Sequence, residues 1–147
     1  MGTAVNNPIK FKVTVSSEVQ KFQYDKTKDS WPLYREGAAV PSGQPAIEAI
    51  SILIDNEKEP VNGAVMLNGA ATSKCAGQHL AEYLLNNQEK IPEELRSKIL
   101  VFADTIWFDG SDLRVPCLCW NGDEWCLDSF YLDNDWDSSF MFVRLGA

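Results

Sequence analysis

The chain opens on an alternation. Ile9, Phe11, Val13 and Val15 fall on one side, and Lys10, Lys12, Thr14 and Ser16 on the other. A period of two with one apolar side is the signature of a strand with one wet face. A second strand is expected over 18–24. Residues 25–44 are polar and carry Pro32, Gly37, Pro41 and Gly43, which reads as loop with room for a short strand at 33–35.

Two periods compete over 45–56. Ile50, Ile52 and Ile54 would suit a strand, but Ile47, Ile50, Leu53 and Ile54 fall on one helical face with Glu48, Ser51 and Asp55 opposite. Pro45 suits a first helical turn, and a helix is the favoured reading. A short strand over 64–67 follows, between the turn pairs Asn62-Gly63 and Asn68-Gly69. The clearest helix spans 73–89, with Ala76, Leu80, Tyr83, Leu84 and Asn87 as its stripe and Thr72 or Ser73 as its cap. A short second helix is expected from residue 91, its acids early and its bases late.

The remainder alternates between apolar runs and Gly/Asn/Asp punctuation. Strands are expected over 99–108, 113–120, 125–132 and 138–145, joined as a four-strand antiparallel meander. Phe140 and Phe142 should face away from Met141 and Val143. The fold class expected is α+β in a single domain, 1–147. It would hold an antiparallel sheet made of that meander plus the N-terminal strands, with one main helix and one or two short helices on a face.

Composition sharpens this picture in one place. Of 21 acids and 13 bases in the chain, residues 102–147 hold nine acids and only Arg114 and Arg144 as bases, a net of −7. Ten of the sixteen aromatic residues lie in the same stretch. Such a surface opposes phosphate backbones and anionic membranes, so neither direct nucleic-acid binding nor membrane attachment is expected. It favours a basic protein partner. No apolar stretch is long enough to span a bilayer, and residues 1–8 do not resemble a leader, so a cytoplasmic location is expected.

A small meander cannot cover two apolar faces by itself. The expected partner-binding residues are therefore Trp107, Trp120, Trp125, Asp123, Asp133, Asp135, Trp136 and Asp137, aromatic anchors rimmed by carboxylates. The corresponding function is a small module that binds a protein and acts by occlusion, in the manner of an inhibitor, immunity or anti-defence protein. One alternative is a carbohydrate- or calcium-binding module. Asp133, Asp135 and Asp137 have the spacing of the first half of a calcium loop, but Ser138 and Arg144 stand where Gly and Glu are required. The second alternative, a small hydrolase using carboxylates, lacks any nucleophile, phosphate-loop or metalloprotease motif, and the chain holds one histidine. No catalytic residue, metal or cofactor is assigned.

The cysteines carry a register argument. If the hairpin loop is 121–124, Trp120 opposes Trp125 and Cys119 opposes Cys126; if it is only Asn121-Gly122, Cys117 opposes Cys126 instead. Reduced buried thiols, a cross-strand disulfide, and a zinc site drawing on Cys75 or His79 are the readings this allows. Cys75 and His79, four apart, could also meet as a catalytic pair.

Overall fold

A computed structural model describes residues 9–15, 22, 24–37, 40–51, 75–131 and 139–145. Eight strands form one sheet: β1 (Ile9–Lys12), β2 (Leu33–Arg35), β3 (Ala46–Ser51), β4 (Ile99–Val101), β5 (Ile106–Phe108), β6 (Leu113–Trp120), β7 (Trp125–Tyr131) and β8 (Phe140–Leu145). Among the described residues one α-helix, α1 (Gln78–Leu85), lies between β3 and β4 in sequence, and 3₁₀ turns form at Lys26–Asp29, Gln88–Lys90 and Glu93–Ser97. The class is α+β, but the sheet is mixed. β4 and β8 run parallel, and every other pairing is antiparallel.

The strand order corrects the expected meander. β5, β6 and β7 do pair in succession, yet β8 does not follow β7 in space. It lies between β3 and β4. The reason is its two apolar faces. Phe140 and Phe142 bury into one cluster and Met141 and Val143 into another, all at 7% exposure or less. A strand apolar on both sides belongs in the middle of a sheet.

Residues 46–51 correct the helix expected over 45–56. They form β3, paired with β1 through Ile9↔Ala49 and with β8 through Ala49↔Val143. Ile47 and Ala49 bury on one face and Ile50 on the other, so two-sided tertiary burial overrides a local 3.6-residue pattern. Glu48, which a helix would turn to water, is 8% exposed and pairs with Arg144 at 3.4 Å.

The strand expected over 99–108 is broken into β4 and β5 by a turn at 102–105, where Thr105 N donates to Phe102 O. Both pieces pair with β6 on the same side, and the break lets β8 join β4 while β2 joins β5. The helix begins later than expected. Cys75 bridges Arg144 and Ala76 N donates to Val143 O (2.8 Å), so residues 75–77 run extended before α1 starts. The segments 64–67 and most of 18–24, like the caps proposed at Thr72 and Ser73, lie outside the described residues.

Alternation divides the sheet's side chains between two cores. Leu80, Leu84, Leu100, Leu118 and Trp125 meet on the helix side, while Val101, Val115, Cys117 and Phe142 meet on the other. Full burial of Leu80 and Leu84 stabilises the helix–sheet contact by about 1.5–3 kcal/mol each.

Among the described strands β7 is an edge, and it is guarded at its start. Gln88 Oε1 accepts from Trp125 N (2.8 Å) and Gln88 Nε2 donates to Trp125 O (3.2 Å), so one side-chain amide stands in for a neighbouring strand. Further along, Asp128 Oδ1 accepts from Ser129 N (2.7 Å). Such devices blunt an edge that could otherwise template pairing with another chain. Gln88→Ala orphans both Trp125 groups and should lower stability by about 1–2 kcal/mol in urea unfolding; an unchanged midpoint would show that water replaces the clamp without loss.

Candidate functional site

The β6–β7 ladder places Arg114 opposite Tyr131, and the β5–β6 ladder places it opposite Trp107. The guanidinium carbon lies 3.9 Å from the centroid of Tyr131 and 5.1 Å from that of Trp31. On Trp31 also sits Lys26, its ammonium 5.0 Å from the ring centroid. Cations and aromatic rings thus alternate as Lys26, Trp31, Arg114 and Tyr131. Cation–π contacts of this kind contribute about 0.5–1 kcal/mol each where exposed.

Arg114 is held in place from both sides. Its Nε donates to Asp109 Oδ2 at 2.7 Å and its Nη1 to Ser129 Oγ at 3.2 Å. Asp109 is itself built in by its turn, accepting from the N–H groups of Ser111 (2.9 Å) and Asp112 (2.8 Å) on Oδ1. The Asp112 amide first, then Arg114 and the Ser111 amide, hold the Asp109 carboxyl well below the usual carboxylate range.

Beside this stack opens a cavity of about 70 Å³, lined by Tyr24, Lys26, Gln78, Trp107, Pro116, Leu127, Asp128 and Ser129. It is far smaller than the ~300–1,000 Å³ of a drug-sized ligand pocket and suits a single side chain. Trp107, Pro116 and Leu127 supply apolar wall, and Asp128 is the exposed acid.

Gln78, 2% exposed, forms the floor and uses all its hydrogen-bonding groups. Its Nε2 donates to Tyr24 O (2.9 Å) and Glu82 Oε2 (3.0 Å), and its Oε1 accepts from Trp107 Nε1 (2.8 Å). Glu82 Oε2 also accepts from Tyr24 N at 3.0 Å. The segment 24–31 is thereby fixed against α1, which sets Trp31 against Arg114 and Lys26 against Trp31.

The sequence-based site residues divide. Trp107 and Trp125 are each 1% exposed, so neither indole reaches the surface. Trp107 turns inward because its N–H is satisfied by Gln78, and Trp125 because the hairpin register puts it on the helix side of the sheet. Trp120 is half-buried, edge-on to Trp125 at 5.8 Å, with the Arg96 guanidinium 4.0 Å from its ring centroid. Asp123 is exposed in the hairpin loop. Asp133, Asp135, Trp136 and Asp137 lie outside the described residues, and with them the half-matched calcium loop.

Among the described residues the exposed rings are others: Tyr24 (47%), Tyr34 (67%), Phe108 (37%) and Tyr131 (41%). Aromatic content marked the right part of the chain for Phe108 and Tyr131 but could not rank the rings by exposure. One available signal was Arg114, a rare base in an acidic stretch and the natural partner of nearby rings. Trp31 carried no signal in its polar loop.

The longer hairpin loop is the one formed, so Cys119 opposes Cys126. All four cysteines are free. Burial pushes the thiols of Cys75 and Cys117 up, as it does Cys119 to about 11. His79 is occupied by Glu36 at 3.0 Å and stacks on Phe22 at 4.3 Å. Among the described residues no group of three or more His, Cys, Asp or Glu side chains is placed to hold a metal ion, and no helix is long and apolar enough to cross a membrane. Comparisons with family models, with curated proteins and with solved structures find no match to this chain.

The depressed Asp109 carboxyl gives a pH test. A carboxyl ionised more readily in the folded state contributes stability above its unfolded value of about 3.9, and that contribution is lost as pH falls below it. The wild type should therefore lose stability between about pH 4 and 2 more steeply than Asp109→Asn, whose amide does not titrate, when urea midpoints are compared across that range. Parallel profiles for the two proteins would contradict the assigned geometry.

Proposed function

We propose that this chain is a protein-binding module that acts by occluding its partner. Its docking surface is the stack of Trp31, Arg114 and Tyr131 with the adjoining cavity. The observation that carries the reading is the fixed pose of Arg114 between two rings, with Asp109 and Ser129 holding its donors. Trp, Tyr and Arg dominate binding hot spots because they offer large contact area with few torsions left to freeze. An Arg already stacked and hydrogen-bonded has lost that freedom before the partner arrives, which lowers the cost of association.

The cavity supports binding over turnover, since about 70 Å³ receives one anchoring side chain rather than a substrate. The charge supports a basic partner. Asp123 and Glu124 are exposed at the far end of the β6–β7 hairpin. Free thiols fit a cytoplasmic setting.

The test is affinity capture from the source cell with the wild type and with Trp31→Ala and Tyr131→Ala, each variant first checked for a native circular dichroism spectrum. The reading predicts a stoichiometric partner whose capture falls by about tenfold or more in either variant and weakens as salt rises. Capture that ignores both substitutions, or a chain that stays alone, would overturn it.

A further inference from the structure

The β6–β7 hairpin sets two thiols face to face. Cys119 opposes Cys126 in the ladder, and both are free and half-buried. The pair is of the hydrogen-bonded kind. Asn121 N donates to Glu124 O (3.0 Å) two positions along the ladder, and at the position between, the N–H and C=O of Trp125 turn outward to Gln88. Residues opposed in this way have Cα atoms about 5.5 Å apart. That lies within the roughly 4.4–6.8 Å a disulfide spans. Their Cβ atoms stand at the long end of what an unstrained bridge accepts, so a bridge here is strained and easily reduced.

We propose that Cys119 and Cys126 form a reversible thiol–disulfide site that is oxidised by exchange with a small-molecule disulfide. The Cys126 thiolate attacks one sulfur of the small disulfide, displacing one small thiolate and leaving a mixed disulfide on Cys126. The Cys119 thiolate then attacks Cys126 Sγ and expels the second small thiolate. Two protein thiols are oxidised, one small disulfide is reduced to two thiols, and the two protein protons end on the leaving sulfurs.

The geometry assigns the order. Among the described strands Cys126 belongs to β7, which pairs only with β6, and its Sγ lies 3.3 Å from Asn121 Nδ2 at the exposed hairpin loop, where a small disulfide can approach. Cys119 lies on the inner strand of the pair, where burial, Asp128 and Cys126 itself oppose its ionisation. It serves as the resolving thiol. Cys117, two residues away on the same face, is fully buried and takes no part. Alternation puts this pair on the sheet face opposite to Arg114 and Tyr131, so the site stands independently of the docking surface.

The experiment exposes the full chain to glutathione disulfide, blocks remaining thiols, digests without reductant and reads the products by mass spectrometry. The expected product is a Cys119–Cys126 cross-linked peptide pair, lighter by two hydrogens than the separate peptides and released by dithiothreitol. Cys119→Ser should stop at a glutathione adduct on Cys126, and Cys126→Ser should give neither product. If the wild type keeps four alkylatable thiols, or holds a lasting glutathione adduct with no bridge, the proposal fails. The wild-type result decides the matter even if a serine variant folds poorly.

Discussion

One buried hydroxyl ties the helix to the sheet. Thr105 is fully buried, and its Oγ1 accepts from Gln78 N at 2.7 Å while donating to Glu36 O at 2.5 Å. Gly77 stands at the N-cap of α1 and offers no side-chain cap, so a residue from the β4–β5 turn does the capping. The approach is close enough that a Cβ on Gly77 would sit 2.5 Å from that oxygen. Gly37 meets a similar limit, with φ at +88° and the Asp104 carbonyl oxygen 2.7 Å from where its Cβ would stand. Helix start, strand break and the loop after β2 are fastened to one another at these points.

The consequences run outward from there. With α1 fixed at Gln78, that residue's side chain can hold Trp107 and Tyr24, and Tyr24 brings residues 24–31 across the end of the sheet. Asp25 then caps the 3₁₀ turn by accepting from Thr27 N (2.9 Å), which brings Lys26 onto Trp31 and Trp31 onto Arg114. Buried polar networks are strong when every member is satisfied, and among the described residues no buried side-chain nitrogen or oxygen lacks a partner. The surface proposed for docking is thus a distal product of a buried anchor, and its rigidity is inherited from the core.

What was legible in the sequence was local. The alternation at 9–15, the opposite facing of Phe140 and Met141, and a hairpin closing near Asn121-Gly122 follow from period-two patterning and turn chemistry; patterning left two cysteine registers open, and the ladder selects the one that sets Cys119 opposite Cys126. What was not legible was decided by distant partners. β3 is a strand because β1 and β8 flank it. The helix starts at Gln78 because Thr105 caps it there, and β8 enters the middle of the sheet because both its faces need cover. The site followed the same division. Counting rings located the region, but only the fold shows that Trp107 and Trp125 are core while Tyr131 and Arg114 reach the outside.

The most direct test of this account is urea unfolding of Thr105→Val, which keeps the side chain's shape and removes the hydroxyl. The buried Gln78 N–H and the part-buried Glu36 carbonyl lose their partner, and a loss of about 1–3 kcal/mol is predicted. A change smaller than about 0.5 kcal/mol, the ordinary range for a surface substitution, would contradict the claim that this hydroxyl holds the helix to the sheet.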